Sequence, residues 1–532
     1  MPTPIGHTAR CPGTSRTLLA SLSLIVIWSL WTGPGQPAIA QAQNSPRSSP
    51  PNIILIMVDD MGWSDIGCYG GEVQTPNIDR LAREGLRFTQ FYNNAKCTTT
   101  RASILTGLYP RPQGQLLKPT MVTLGEALKG AGYQTALSGK WHLGAGPSTH
   151  PYHRGFDEYY GLLDGCCNFF DPSRPDPAYK GGQVRKFGHN DRFIDSFPED
   201  YYTTDAFTDH AMAALKKFAK QSKPFFLHLC YTAPHYPLHA PPEDIAKYRG
   251  KFLMGWDKLR ENRYRKLQDL GLIDPKTWAL SGSDSAAYPW ETADHDFEDL
   301  RMAVYAAMID RVDQNIGRLR QALREAGVEQ NTAIFFLSDN GGCSEEPGGR
   351  DPAKRAPGPK NDYVAVGPAW GWAQNSPFRR YKSWVHEGGI CTPMIAWQPG
   401  TIAPNTITDQ PGHIIDFMPT FLDMAGAPYP TTHEGHSILP VEGRSLRPVL
   451  QGKQRAEPEF LAWEWSGNRA YRQGAWKVVW DKRVKSWELY DLNNDRTETR
   501  NLAAAHPDKT RQLSQAWLEW ARKTGAPGER NF

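Results

Sequence analysis

The chain is 532 residues long, 39% apolar and 22% charged, with a formal charge of +4. That length excludes a single small domain, and the balance is that of a soluble globular protein with a large core and a second domain. A charge so near neutrality argues neither for nor against a nucleic-acid partner, and none is expected.

Arg10 and Arg16 precede an apolar stretch at 18–31, and Ala38-Ile39-Ala40 follows with small residues at cleavage spacing. The pattern predicts a secretory signal peptide over 1–40. Its apolar run is shorter than the ~20 residues of a membrane span, so no anchor is expected, and the mature protein is expected in the periplasm or the medium. Cleavage removes Arg10, Arg16 and no acid, which lowers the formal charge to +2. Of the eight cysteines, Cys11 leaves with the leader and Cys97 is set aside as functional. The other six are no disulfide scaffold in so long a chain, and about 15 pairings are open to them.

Residues 41–51 read as a Ser/Pro-rich linker, with the fold beginning at Asn52. Apolar runs at 53–58, 135–137, 225–231, 333–337 and 394–397 predict buried parallel strands. A helix is predicted over about 300–326, where Val312, Ile316, Leu319 and Leu323 repeat at helical spacing and Gly327 supplies the stop. Strands alternating with helices imply a doubly wound α/β sheet. Polar stretches at 250–295 and 342–374 read equally as lids and as solvated insertions. After Gly452, strands at 470–480 and 485–492 and a helix at 507–523 predict a small α+β subdomain. The organisation is therefore a large α/β domain over 52–452, where the site is to be sought, and a C-terminal subdomain over 453–532.

Open α/β sheets bind ligands beyond the carboxyl ends of their strands, so the residues after each run are the candidates. Run 53–58 delivers Asp59-Asp60, and run 333–337 delivers Ser338-Asp339-Asn340. Either group alone reads as a strand-end turn, since Asp and Asn bond to local backbone. Together, three converging carboxylates require a cation, and an all-oxygen set suits Ca²⁺ or Mg²⁺ rather than Zn²⁺. Four such ligands leave coordination positions for an anionic ester. Residues 97–101 read Cys-Thr-Thr-Thr-Arg, a thiol outside any apolar run and one turn from a permanent cation, at the start of a predicted helix whose free N–H groups attract anions.

Lys140 and His142 stand two apart, which in an extended segment places them on one face, although the pair alone reads as surface. His235 lies between Pro234 and Pro237, whose rigidity suits a general acid, and His239 reads as a loop residue. Basic runs such as 379–382 are usually solvated, but one of these cations can face a cleft. That cleft is expected to be exposed and rimmed by Trp141, His386 and the two long polar stretches. Cys230 is expected in the core, and adjacent Cys166 and Cys167 lack zinc-ligand spacing.

Over almost all of the mature chain these segments resemble the type I sulfatases, most closely the bacterial arylsulfatases of the alkaline phosphatase superfamily. The likeness is carried by Val58-Asp59-Asp60-Met61-Gly62-Trp63-Ser64-Asp65, by 97–101 with Leu105-Thr106-Gly107, and by Gly139-Lys140-Trp141-His142-Leu143-Gly144. Ala233-Pro234-His235, Ser338-Asp339-Asn340-Gly341 and Tyr381-Lys382 add to it, as do Arg472-Gln473-Gly474-Ala475-Trp476-Lys477 and Leu489-Tyr490-Asp491-Leu492. The resemblance implies a large doubly wound sheet domain of alkaline-phosphatase-like type with a smaller C-terminal α+β subdomain. It implies hydrolysis of an aryl sulfate or a sulfated carbohydrate, with release of inorganic sulfate. Asp59, Asp60, Asp339 and Asn340 would bind Ca²⁺, ahead of Mg²⁺.

Cys97 would be oxidised to formylglycine by the cell's formylglycine-generating machinery, and the hydrated aldehyde would be the nucleophile. Arg101 would hold that residue, Lys140 and Lys382 would bind sulfate oxygens, His235 would protonate the leaving oxygen, and His142 would take the proton that expels sulfate. Asp339 would also accept the proton of the attacking hydroxyl. The family has proline two residues after the cysteine, and here that position is Thr99. Two other readings remain: a phosphonate or phosphate diester hydrolase with the same site, and a non-catalytic binder of sulfated glycans if Cys97 stays a thiol.

Overall fold

The computed structural model describes residues 49–110, 117–283 and 287–526. The expected leader, and the linker as far as residue 48, lie outside the described residues. No described helix is long and apolar enough to cross a membrane.

In chain order the first strands are β1 (Asn52–Asp59), β2 (Leu86–Phe88), β3 (Phe91–Tyr92), β4 (Gln134–Gly139), β5 (Glu158–Leu162), β6 (Phe187–His189), β7 (Arg192–Ile194), β8 (Phe225–Pro234), β9 (Thr332–Ser338), β10 (Met394–Trp397) and β11 (Thr406–Thr408). All but β3 join one sheet in the order β11-β2-β10-β9-β1-β8-β4-β5-β6-β7. Its centre, β9-β1-β8-β4-β5, is parallel, with Ile54 level with Leu227 on one side and Ile334 on the other.

β1 is apolar at every position from Ile53 to Val58 because both faces of the sheet are covered. Ile54, Ile56 and Val58 pack in one core, which includes Phe207, Leu215, Val312, Ile316, Leu319 and Leu323 from two helices. Ile53, Leu55 and Met57 point into the opposite core, with Ile104, Leu105, Leu128, Phe417 and Phe421. This is the doubly wound arrangement, with each buried aliphatic side chain worth about 1.5–3 kcal/mol of transfer free energy.

The predicted long helix spans His295–Glu325. It begins earlier than its apolar stripe, because Asp294 caps it by accepting from the Phe297 N–H at 3.0 Å. β10 is antiparallel to β9, pairing Ile395 with Phe336, which corrects the expectation of a parallel strand there. The physical reason lies in the connection: the chain after β9 stays at the carboxyl end of the sheet, where the Gly341 N–H donates to the Gly389 carbonyl at 3.2 Å. With no crossover to the other end, the next strand must descend.

The polar stretches are not structureless. Residues 250–295 contain the helix Trp256–Asp269, whose buried Arg263 pairs with Asp65 at 2.7 Å and Glu72 at 2.6 Å, and 342–374 ends in the helix Gly367–Gln374. In the C-terminal subdomain four antiparallel strands, Leu461–Trp465, Asn468–Gln473, Trp476–Asp481 and Ser486–Asp491, pack against the helix Pro507–Thr524 through Leu513, Trp517 and Ala521. The predicted strand at 470–480 is two strands, divided where Gly474 takes φ +57°.

Candidate active site

The parallel strands place their carboxyl ends together, and each delivers a polar residue there. β1 shifts register against β8 between Met57 and Asp59, so that Asp59 lies level with Pro234, next to His235. The Asp339 N–H donates to the Val58 carbonyl at 3.0 Å, which sets the end of β9 against the end of β1. Lys140 follows β4, with its N–H on the Cys230 carbonyl at 2.8 Å. Cys97 is the first residue of the helix Cys97–Thr106.

All ten residues singled out by sequence meet at this point. Asp59 Oδ2 accepts from Lys140 Nζ at 2.5 Å, Asp60 Oδ2 from Lys382 Nζ at 2.7 Å, and Asp339 Oδ2 from Arg101 at 2.8 Å. Asn340 Nδ2 donates to Asp60 Oδ1 at 2.7 Å, and His235 Nε2 lies 3.5 Å from Asp60 Oδ2. Ligand atoms of Asp59, Cys97 and Asp339 lie within 4.8 Å of one another. Three carboxylates thus face three cations, all buried.

Two oxygens of this set are left over. Asp59 Oδ1 and Asn340 Oδ1 are buried with no hydrogen-bond partner. A buried acceptor without a donor costs about 1–3 kcal/mol, so two in one cluster mark a place for an electrophile. The donor chemistry fits a hard cation: carboxylate and amide oxygens from Asp59, Asp60, Asp339 and Asn340. Burial, and then the neighbouring Asp339, push the Asp59 carboxyl up to about 8. Burial alone would raise Asp60 as well, but the Lys382 ammonium outweighs it and holds that carboxyl below its ordinary range.

Both histidines are held neutral, chiefly by burial. For His142 the neighbouring Lys140 and Arg101 add to the effect, and for His235 Asp60 opposes it without reversing it. The ring of His235 donates through Nδ1 to the Tyr236 carbonyl at 2.5 Å, which leaves Nε2 facing Asp60. Gly165 packs against the His142 ring so closely that a Cβ there would lie 2.7 Å from it.

The site is tighter than an exposed cleft. Cys97 is 1% exposed, Trp141 is 2% exposed with its Nε1 on the Thr149 carbonyl at 2.9 Å, and His386 is fully buried against Glu488 at 2.8 Å. Trp141 and His386 are therefore not at a rim, whereas the polar stretch 342–374 does reach the site: Glu345 from it is half-buried there, as are Lys96 and His142. The spacing argument for Lys140 and His142 also fails, because β4 ends at Gly139 and His142 takes φ +60°, outside any strand. His239 is buried, with Nε2 on the Asp362 carbonyl at 2.8 Å, and is no open loop residue.

Sequence reasoning missed Glu345. Its Oε1 lies 3.1 Å from Lys96 Nζ and 3.5 Å from Lys382 Nζ, and its Oε2 accepts from the Tyr236 hydroxyl at 2.7 Å. Lys96 and Tyr236 adjoin Cys97 and His235 and could have been found by adjacency, whereas Glu345 sits in a polar stretch with no pattern.

Residues 51–427 match the family model described as Sulfatase, and 378–519 match that of N-sulphoglucosamine sulphohydrolase, C-terminal. The chain belongs to the sulfatase family. It is 34% identical to an uncharacterized sulfatase of Schizosaccharomyces pombe, over 90% of this chain and 95% of the relative. An arylsulfatase of Klebsiella aerogenes is 30% identical over 79% of this chain and 96% of its own. Among solved structures, Ps i-CgsB in complex with k-i-k-neocarrahexaose superposes with a TM-score of 0.65 at 26% identity, covering 90% of this chain and 98% of that one. This sulfatase is accordingly a sulfuric ester hydrolase of mixed α/β fold with a smaller C-terminal subdomain.

Proposed function

We propose that this sulfatase cleaves the sulfate ester of a phenol or a carbohydrate through a formylglycine made from Cys97, with Ca²⁺ held by Asp59, Asp60, Asp339 and Asn340. The observation that carries the reading is the approach of Cys97 to Asp59 and Asp339 within 4.8 Å, beside two buried oxygens without partners. The ion, when bound, supplies the positive charge that three carboxylates balanced by three cations lack, and so favours an anionic ester. Lys140 and Lys382 exchange their carboxylate partners for sulfate oxygens and stabilise the charge that develops on them. Arg101 donates to the Lys140 carbonyl at 2.8 Å as well as to Asp339, and so ties the first turn of the nucleophile helix to the sulfate-binding lysine.

The histidines divide the proton work by environment. His142, kept neutral, with a buried Nδ1 that has no partner, is suited to accept a proton from the nucleophile's second hydroxyl. His235 already spends its Nδ1 proton on a carbonyl, so it must be doubly protonated to act as an acid. The anionic ester, placed beside Nε2 with Asp60, supplies the field that favours this. The catalytic domain is proposed to span 52–452 with the C-terminal subdomain after it, and the leader at 1–40 is proposed to direct export to the periplasm or medium.

The test pairs peptide mass spectrometry of the protein from its native host with sulfate release from 4-nitrophenyl sulfate. Aldehyde at position 97 and sulfate release are expected. Unmodified thiol throughout would sink the formylglycine mechanism, and a clear preference for a matched phosphodiester would overturn the substrate class.

A further inference from the structure

The loop that carries Lys382 is held from outside the central sheet. Arg379 donates to the Tyr490 hydroxyl at 2.7 Å and to the Glu498 carbonyl at 2.9 Å. Asn468 Nδ2 donates at 3.1 Å to the carbonyl of Ser383, the residue directly after the lysine. His386 Nε2 meets Glu488 Oε2 at 2.8 Å. Glu387 takes Lys477 Nζ on Oε1 at 2.7 Å and Arg496 on Oε2, and its N–H donates to Glu498 Oε2 at 2.8 Å. Every one of these partners belongs to 468–498 in the C-terminal subdomain.

The same subdomain holds the segment that leads to Cys97. Trp463 Nε1 donates to the Asn93 carbonyl at 2.8 Å, and Arg472 donates to the Tyr92 hydroxyl at 2.6 Å. That hydroxyl in turn donates to Glu387 Oε2 at 3.1 Å. The Ser383 N–H donates to the Ala95 carbonyl at 2.8 Å, so the two held segments also touch each other. Ala95, Arg380 and Ser383 have φ of +61°, +67° and +72°. Non-glycine residues persist in that region only where the surroundings over-determine them. Ser383 is held by Asn468 and Arg380 lies 3.7 Å from Asp481, both in the C-terminal subdomain, while Ala95 is held by Asn93 Oδ1 and the Ser383 N–H.

We propose that the C-terminal subdomain fixes the spacing between Cys97 and Lys382, with Asn468 and Lys477 as positioning residues for the sulfate-binding lysine. The proposal rests on the reading of Lys382 as a sulfate ligand. A subdomain that only covered apolar surface would need contacts like those of Trp517 and Leu513. It would not need Lys477, Arg496, Glu387 and Glu498 buried together against this loop.

The test titrates inorganic sulfate calorimetrically into the full-length protein, Asn468→Ala, Lys382→Ala and the double variant, with 4-nitrophenyl sulfate turnover measured alongside. Asn468→Ala is expected to weaken sulfate binding about tenfold and to lower kcat/KM similarly, but to change binding less than about twofold once Lys382 is alanine. A tenfold loss in both backgrounds would show general loosening and overturn the proposal, as would no loss in Asn468→Ala alone. Lys477→Met is expected to lose more, and Lys477→Arg to recover part of it; if Lys477→Met does not fold, the Asn468 cycle decides. Sulfate binding untouched in Lys382→Ala would overturn both the role of Lys382 and the proposal, whereas loss in Lys382→Ala with multiplying effects overturns the proposal alone.

Discussion

Two buried ionic clusters flank the loop that carries Lys382, and they are built in opposite ways. At the subdomain junction each carboxylate oxygen of Glu387 and Glu498 has a donor: Lys477, Arg496, the Tyr92 hydroxyl or the Glu387 N–H. Burial would raise the Glu387 carboxyl, but Arg496 and then Lys477 bring it down to about 2. In the active site, Asp59 Oδ1 and Asn340 Oδ1 have no donor, and burial with Asp339 takes Asp59 up to about 8. A satisfied network rigidifies what it joins, whereas one with spare acceptors is short of a cation. The junction is therefore built to hold positions, and the active-site cluster, on the proposed reading, to take up a cation and exchange partners.

Severing the closed cluster gives the largest expected effect. Lys477→Met strips a shared donor from two fully buried carboxylates, at a cost of about 3–5 kcal/mol in urea unfolding, with or without chelator. A loss below about 1 kcal/mol would show that water enters the junction and that the cluster is not closed. Asp59→Asn acts on the open cluster instead. At a hundredfold excess of Ca²⁺ over Kd the unaltered protein should gain about 2.7 kcal/mol of stability, and the variant should gain none. A calcium effect that persists in Asp59→Asn would place the ion elsewhere.

The pH dependence sharpens the same contrast. A carboxyl raised to about 8 in the folded chain, from an ordinary 3.8, favours folding while protonated. That contribution is complete below the ordinary value and is lost as pH rises through about 8, so the chelated protein should lose stability across that window. Calcium needs the ionised carboxylate, so its affinity should rise about tenfold per pH unit near neutrality and level off above pH ~8. Calorimetric calcium titration checks this. A flat affinity from pH 5 to 8 would mean that Lys140 keeps Asp59 ionised throughout.

The central strands, and the placing of Asp59, Asp60, Lys140, His235, Asp339 and Asn340 at their carboxyl ends, were legible because each strand buried on both faces is a continuous apolar run, and the residues just after such a run must lie at one edge of the sheet. Cys97 and Arg101 stood out instead as a charged helix start, and Lys382 only through the family resemblance. Ile53 to Val58 leading into Asp59-Asp60 shows both halves of that logic. The direction of β10 was not legible, because it depends on where a long connection ends. The division at Gly474 was hidden because apolar residues on both sides continue the pattern. The place of Glu345, and the pairing of the junction residues Glu387, Lys477, Arg496 and Glu498, could not be read for another reason. A charged residue reads as solvated until a partner distant in sequence is known, and Lys477 meets Glu387 across 90 positions.

The smallest expected effect on the fold concerns Thr99, and it separates folding from maturation. The helix begins at Cys97, so Thr99 holds its third position, where an N–H has no acceptor within the helix. The Thr99 hydroxyl donates to the Asn94 carbonyl at 3.0 Å and the Lys96 carbonyl at 2.9 Å. In Thr99→Pro those bonds are lost and Thr98 is restricted, but the ring fixes a φ suited to the first turn and stiffens the unfolded chain. The balance should leave stability within about 1 kcal/mol of the original. If Cys97 matures to formylglycine as proposed, and the proline expected of the family is part of what the maturation machinery reads, the variant made in the native host should carry more aldehyde at position 97, with specific activity rising by the same factor. An unchanged aldehyde fraction would show that threonine is accepted as well as proline.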